Sequence, residues 1–316
     1  MPKVSDIPPA HIQDELNALR EDLTAHIPPK ELDRNVVIGT WNIRAFGDLT
    51  EAWEASADQS PKRDLHSLFC IVEILKRFDI VAVQEVKGNI KALRHALKLL
   101  GPHWSFLMTD VTKGSAGNDE RLAFLFDTRK IKLSGLACEI VIPDDVLEKN
   151  KAIGMGALQR QFARTPYAVS FWVAGKTFVL LTLHVLYDTP AGRIPELNAI
   201  ADWIRDWATE LHSWSHSLIT LGDFNIVKNG DPTYEAFISQ GLHVPHDLQK
   251  INRTVFKNTY SFYDQIAWFE HEISLAYNKG GVYDFRGKVL ADRAYSEHQL
   301  SWRISDHFPL WAEFLT

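Results

Sequence analysis

The chain has 316 residues, 46% of them hydrophobic and 23% charged, with a formal net charge of −6. This composition excludes a disordered or fibrous chain, and the acidic balance excludes a protein that grips nucleic acid through a general basic field. Two cysteines, Cys70 and Cys138, are too few for a disulfide framework, and no stretch is long and apolar enough to span a membrane, so a cytoplasmic protein without a membrane anchor is expected.

Residues 11–26 place Ile12, Leu16, Leu19 and Leu23 three and four apart, which predicts a helix stopped by Pro28 and Pro29. Residues 1–34 are therefore expected to form a helical extension on a main domain of residues 35–316. Residues 35–43 are rich in β-branched side chains and predict the first strand, with Asn42 near its end. An amide is costly to bury unless it is paired. Asn42 is thus either a hydrogen-bonded strand residue or a ligand for a metal or phosphate.

Residues 50–62 predict a loop or short helix, and residues 64–78 an amphipathic helix with Leu65, Leu68, Phe69, Val72, Ile74 and Leu75 inward. Residues 79–86 form a second apolar strand that ends in Gln84 and Glu85, with Lys87 next. Residues 90–100 predict a helix, then strands at 104–108, 122–126 and 131–141 follow, the first two joined by a polar loop. Residues 143–158 are expected to be a surface insertion. Arg164 precedes a strand at 167–173, and the next strand, 176–185, carries His184 at its end. A helix is predicted to begin at Pro195 and run to 212.

The apolar run Leu218 to Leu221 then leads into Gly222, Asp223, Phe224 and Asn225. Residues two apart on an extended chain face the same way. Asp223 and Asn225 therefore present a carboxylate and an amide together at a strand end, where ligands of α/β proteins bind. The plainer alternative is an Asx turn. Residues 231–250 predict loop and short helix, residues 260–268 alternate as a strand with Asp264 inside it, and Asp306 and His307 precede a final strand to Phe314.

Asn42, Glu85, His184, Asp223, Asn225, Asp306 and His307 thus all stand at predicted strand ends. Oxygen donors dominate and no cysteine set accompanies them, which points to Mg²⁺ or Mn²⁺ rather than a structural zinc. Two histidines beside carboxylates suit general acid–base work near neutral pH. Arg44 and Arg164 suit phosphate oxygens.

Taken in order, the segments at Asn42, at Gln84-Glu85, at Arg164, at His184, at Gly222-Asp223-Phe224-Asn225, at Asp264 and at Ser305-Asp306-His307 resemble the endonuclease/exonuclease/phosphatase superfamily. That resemblance implies an α/β fold of four layers: two packed mixed β-sheets flanked by helices, with a site at one rim. It implies a divalent-metal phosphoesterase in which Asn42, Glu85 and Asp306 hold Mg²⁺ or Mn²⁺. Asp223 and Asn225 would orient water and phosphate, Asp264 would orient His307, and His184 would face the scissile phosphate.

Residues 41–47, the run Gln84 to Lys87, and Asp119-Glu120-Arg121 are similar to the deoxyribonuclease I branch. The similarity implies that Glu120 partners His184. It sets Lys87 where that enzyme has a minor-groove arginine, and Asn118 where it has a tyrosine that packs on DNA sugar, which implies a weaker grip on duplex. The expected activity is hydrolysis of DNA phosphodiester bonds by a nuclease, with nucleic acid as the partner and no obligatory protein partner. The alternatives are a phosphatase or phospholipid phosphodiesterase of the same superfamily, an RNA or single-strand nuclease, and a non-catalytic binding protein on the same scaffold. Inositol-phosphate phosphatases carry Asp-Arg where this chain has Asp264-Gln265, which counts against them.

Overall fold

The computed structural model describes residues 2–113, 117–153, 161–187, 189–213, 217–249, 251–258 and 260–316. Its elements run α1 (Ala10–His26), β1 (Asn35–Phe46), α2 (Leu65–Leu75), β2 (Ile80–Lys87), α3 (Lys91–Leu100), β3 (Trp104–Met108), β4 (Glu120–Asp127), β5 (Lys132–Glu139) and α4 (Asp144–Ile153). There follow β6 (Tyr167–Val173), β7 (Lys176–His184), α5 (Pro190–Ser213), β8 (Ser217–Asp223), α6 (Pro232–Ile238), β9 (Asp264–Trp268), β10 (Ala276–Val282), α7 (Glu297–Arg303) and β11 (Leu310–Leu315).

The strands make two mixed sheets, ordered β10-β11-β1-β2-β4-β3 and β5-β6-β7-β8-β9. Each sheet has one parallel pair, β1 with β2 and β7 with β8, and every other neighbour is antiparallel. Side chains alternate across a strand, and both faces of the first sheet are buried. Val36, Ile38, Ile80, Ala82 and Phe124 join the core shared with the second sheet, whereas Val37, Val81, Val83 and Leu125 join a core under α1, α2 and α3. Leu197, Ile200 and Ile204 of α5 cover the second sheet from outside. The result is the expected four-layer sandwich of helices, sheet, sheet and helices.

Between the sheets Gln84 is fully buried, and its amide donates to Thr40 Oγ1 at 3.1 Å and to Thr182 Oγ1 at 3.0 Å. A polar side chain in this position is kept because it is satisfied, and it ties β2 to β7 next to their ends. Local signals explain several boundaries. Asp64 caps α2, accepting from Ser67 N at 2.8 Å, and Ser296 with Gln299 forms a capping box at α7. Helix α1 buries Ile12, Leu16, Leu19 and Leu23, and its Arg20 grips Glu73 of α2 through two hydrogen bonds of 2.8 and 2.9 Å.

Three expectations change. The strand expected over 260–268 is only β9, so Asp264 opens the strand instead of lying inside it. Residues before it spend their carbonyls elsewhere: Tyr263 O accepts from Phe224 N at 2.9 Å, and Phe262 O accepts from the buried Arg253 at 3.3 Å. Helix α5 starts at Pro190 rather than Pro195. A proline suits the first helical position, and Pro195 follows early enough to delete one backbone hydrogen bond without ending the helix. The insertion at 143–158 contains α4, while its residues 154–158 lie outside the described residues. Residues 269–304, for which sequence signals assign no element, hold the exposed edge strand β10 and the short helix α7. Among the described residues no helix is long and apolar enough to cross a membrane.

Candidate active site at the sheet rim

The C-terminal ends of the two parallel pairs meet at one rim, where the Asn42 amide of β1 donates to Asp223 Oδ2 of β8 at 2.9 Å. Across the second sheet His184, Asp223 and Asp264 are register partners on β7, β8 and β9 and form one row. Gly222 lets this row close up. Its φ is +142°, and a Cβ there would lie 2.1 Å from the Leu183 carbonyl oxygen, so only glycine fits. The strand runs on through Asp223, so this glycine serves a close approach to β7 rather than a turn.

His184 Nδ1 lies 3.2 Å from Glu120 Oε2, and its Nε2 lies 3.5 Å from Asp223 Oδ2. His307, which precedes β11 of the other sheet, pairs its Nδ1 with Asp264 Oδ2 at 2.8 Å and brings Nε2 to 3.8 Å from the same Asp223 oxygen. Asp223 is therefore flanked by two imidazoles, each backed by its own carboxylate. Burial pushes the Asp223 carboxyl up, but the charges of His307 and His184 and the hydrogen bonds from Asn42 and Asn225 hold it below the usual range. Burial pulls the His307 imidazole down, yet the charges of Asp264 and Asp223 raise it well above its ordinary value. Burial also raises Asp264, against the pull of His307. The pair keeps a proton between them.

Asn225 sits in the left-handed region at φ +52°, where asparagine is tolerated. Its backbone N–H donates to Asp223 Oδ1 at 2.9 Å, and its side-chain amide donates to the Val185 carbonyl at 2.6 Å. The Asx turn is thus present, and both residues also line the same cavity, of about 450 Å³. Asn42, Glu85, Asn118, Glu120, Arg164 and Asp306 line it as well.

Three oxygen-bearing side chains converge from the first sheet. Asn42 gives its amide protons to Asp223, which leaves Oδ1 buried without a hydrogen bond among the described residues. Asp306 Oδ1 is likewise buried and unpartnered. Glu85 takes an unusual φ of +61°, and its Oε2 accepts the Ala45 N–H at 2.8 Å, leaving the other oxygen for a ligand. A left-handed Glu is strained, and such strain concentrates at functional positions. Orphaned buried acceptors are costly. A hard divalent cation satisfies such oxygen donors, so the residues present fit Mg²⁺ or Mn²⁺.

A basic cluster surrounds Glu120. Arg164 Nε is 2.6 Å from Oε2, Lys87 Nζ is 2.8 Å from Oε1, and the Asn118 amide donates to Oε1 at 2.5 Å. Burial raises the Glu120 carboxyl, but the contact with His184 and the charges of His184 and Arg164, with Lys87, outweigh it and hold it at about 2. Arg164 and Asn118 line the cavity, and Lys87 and Arg44 are not among its lining residues. Arg44 Nη1 donates to Ser301 Oγ at 2.8 Å and lies 3.5 Å from Asp306 Oδ2.

Four supporting residues receive no role from the sequence reading. Ser305 Oγ donates to the Asn42 carbonyl at 2.6 Å and accepts the N–H groups of Arg44 at 3.2 Å and His307 at 3.1 Å, which sews β1 to the Asp306-His307 segment. Arg193 donates to the Asn225 carbonyl and Arg253 to the Asp264 carbonyl. The Tyr263 ring lies 5.4 Å from His307, and Tyr263 could have been found by its place beside Asp264.

The profile of the Endonuclease/Exonuclease/phosphatase family matches residues 39–307. Deoxyribonuclease gamma of Rattus norvegicus is 27% identical over 289 residues, covering 86% of this chain and 82% of the relative. Deoxyribonuclease-1 of Bos taurus is 24% identical, covering 89% of this chain and 92% of the relative. The structure of a mannosyl-6-phosphatase from Bacteroides thetaiotaomicron superposes with a TM-score of 0.59 at 19% identity, over 89% of this chain and 100% of that one, and so shares the fold. With the profile spanning every residue of the rim, the chain belongs to the Endonuclease/Exonuclease/phosphatase family of hydrolases, on its deoxyribonuclease I-like branch.

Proposed function

We propose that the chain is a divalent-metal-dependent phosphodiesterase that hydrolyses DNA, a nuclease acting within strands. One observation carries this reading. Orphaned oxygens of Asn42 and Asp306 open into the same cavity as two carboxylate-backed imidazoles that flank Asp223. The deoxyribonuclease names of relatives at 24–27% identity support DNA as the substrate.

In this reading Asn42, Glu85 and Asp306 would hold Mg²⁺ or Mn²⁺. When bound, the cation supplies positive charge for the phosphate oxygens as negative charge grows on them. Asp223, ionised and fixed by Asn42 and the Asn225 N–H, orients the attacking water. His307, held by Asp264 and protonated, donates to a phosphate oxygen, and Arg164 adds positive charge at the cavity wall. Water oxygen bonds to phosphorus, the ester oxygen opposite departs, and the two imidazoles hold and move the protons of that exchange. Glu120 positions His184. Lys87, Asn118 and Arg44 contact the flanking strand. Residues 35–316 form the catalytic domain, with residues 1–34 as its helical extension. The free thiols Cys70 and Cys138 support a reducing, cytoplasmic setting.

The test is a substrate panel with Mg²⁺ and with a chelator: plasmid DNA, single-stranded DNA, RNA, and inositol phosphates. Mg²⁺-dependent loss of DNA is the expected result. Hydrolysis of a phosphate monoester with every nucleic acid left intact would overturn the reading.

A further inference from the structure

A second cavity, of about 610 Å³, adjoins the first, and no step above uses it. The loop between β1 and α2 forms one wall through Ala55, Ala57 and Pro61, and α7 with the residues before it forms the other. Its floor is Trp302, which is 41% exposed. Arg44 is the partition between the two cavities. One side of its guanidinium lies 3.8 Å from the centre of the Trp302 ring, and Nη1 lies 3.5 Å from Asp306 at the rim.

The second cavity is built. Arg63, fully buried, donates to the carbonyls of Arg44 at 2.6 Å, Ala45 at 3.0 Å, Arg303 at 3.0 Å and Ile304 at 3.1 Å. These bonds clamp the loop, the end of β1 and the end of α7 into one frame. Arg303 stacks 3.9 Å from the Tyr295 ring, so a second aromatic face with a cation above it stands in the same wall. Four of the lining residues are Arg or Lys and one, Asp48, is acidic. An aromatic floor, small apolar walls and excess positive charge suit a planar aromatic group tethered to a phosphate, and a nucleobase is such a group.

We propose that this cavity is a nucleobase subsite, which takes an unpaired base of the nucleotide beside the scissile phosphate and stacks it on the face of Trp302 that the Arg44 guanidinium leaves free, while Arg44 binds the adjoining phosphate. The inference rests on the nucleic-acid reading of the rim and narrows it to single strands or locally opened duplex. A base inside a duplex is already stacked and paired and must be flipped out to enter, which costs least where the strand is single.

The test uses the full chain with Mg²⁺ and a short single-stranded oligonucleotide holding one cleavable bond, made with normal nucleotides or with abasic residues on both sides of that bond. The wild type should show a KM about tenfold or more higher for the abasic strand, because base–aromatic stacking contributes binding of that order. In Trp302→Ala the ratio of the two KM values should fall to near one, and Trp302→Phe should restore it. Ala57→Trp, which fills the cavity from the exposed loop, should also collapse the ratio, and it decides the matter if Trp302→Ala does not fold. Cleavage of both strands with equal KM by the wild type, or an unchanged ratio in the folded variants, overturns the subsite alone. Failure of the wild type to cut either strand while it still cuts plasmid DNA also overturns the subsite alone, and failure on every nucleic acid overturns the nucleic-acid reading, and the subsite with it.

Discussion

The two sheets contribute unlike chemistry to the same rim. On the first, Asn42 and Asp306 present buried oxygens without a hydrogen bond among the described residues, and Glu85 is held in a strained backbone to join them. On the second, the row His184, Asp223, Asp264 carries acid–imidazole ion pairs, His184 with Glu120 and Asp223, and His307 with Asp264 and Asp223. Unsatisfied acceptors mark a seat for a cation. Ion-paired acids and imidazoles mark groups whose protons are controlled. His307 breaks the division, because it comes from the first sheet and completes the row of the second. The site therefore exists only where the sheets are packed together, and Gln84, bridging Thr40 and Thr182 just below, fixes that packing.

Breaking the imidazole side should have the largest effect. His184→Ala and His307→Ala are each expected to lower kcat by about 10²–10⁴-fold, the usual contribution of a positioned proton donor or acceptor. Their melting temperatures should stay near wild type, and a His307→Ala enzyme with normal kcat contradicts the assigned role. Breaking the oxygen side should act on the cation instead. Glu85→Ala is expected to weaken Mg²⁺ or Mn²⁺ binding by at least about tenfold, read by titration calorimetry, because loss even of an outer-shell partner costs about 10–100-fold. An unchanged isotherm would remove Glu85 from the cation seat.

A smaller effect is expected from the cations outside both rows. Lys87→Ala and Arg44→Ala should each raise KM and reduce the slope of log affinity against log salt by about one, since each phosphate contact releases counterions. An unchanged slope places them off the substrate backbone. The smallest effect is on stability. Glu120 is held at about 2 in the folded chain against an ordinary value of 4.5. A depressed carboxyl contributes stability above its unfolded value, and that stability is lost as pH falls from 4.5 through 2. Glu120→Gln should therefore show a flatter loss of melting temperature over that acid range than the wild type. Parallel curves would mean that the surrounding His184, Arg164 and Lys87 do not hold the charge.

Most of the fold is legible in the sequence because its central strands are continuous apolar runs ending in acids, amides or imidazole, and its helices have clear apolar faces. The strand ends at His184 and Asp223 follow from that pattern, whereas β1 and β2 run on past Asn42 and Glu85 to Phe46 and Lys87. Asp264 does not follow from it. Residues 260–263 alternate like a strand, but the Arg253 guanidinium and the Gln265 amide take the Phe262 carbonyl, the Phe224 N–H takes that of Tyr263, and β9 begins at Asp264. Arg63 and Arg193 escape notice for the same reason. A buried arginine that donates to carbonyls remote in the chain has no periodicity and no local motif. Helix α7 and strand β10 are too short and too polar to declare themselves, yet α7 supplies Trp302, the floor of the second cavity.

The most direct measurement is cleavage of DNA, plasmid and single-stranded, by the wild type and by His307→Ala side by side, with Mg²⁺ and with a chelator. Fragmentation by the wild type that requires the cation and disappears in His307→Ala is the predicted result. Intact DNA with the wild type, or equal fragmentation by His307→Ala, would contradict a nuclease centred on this rim.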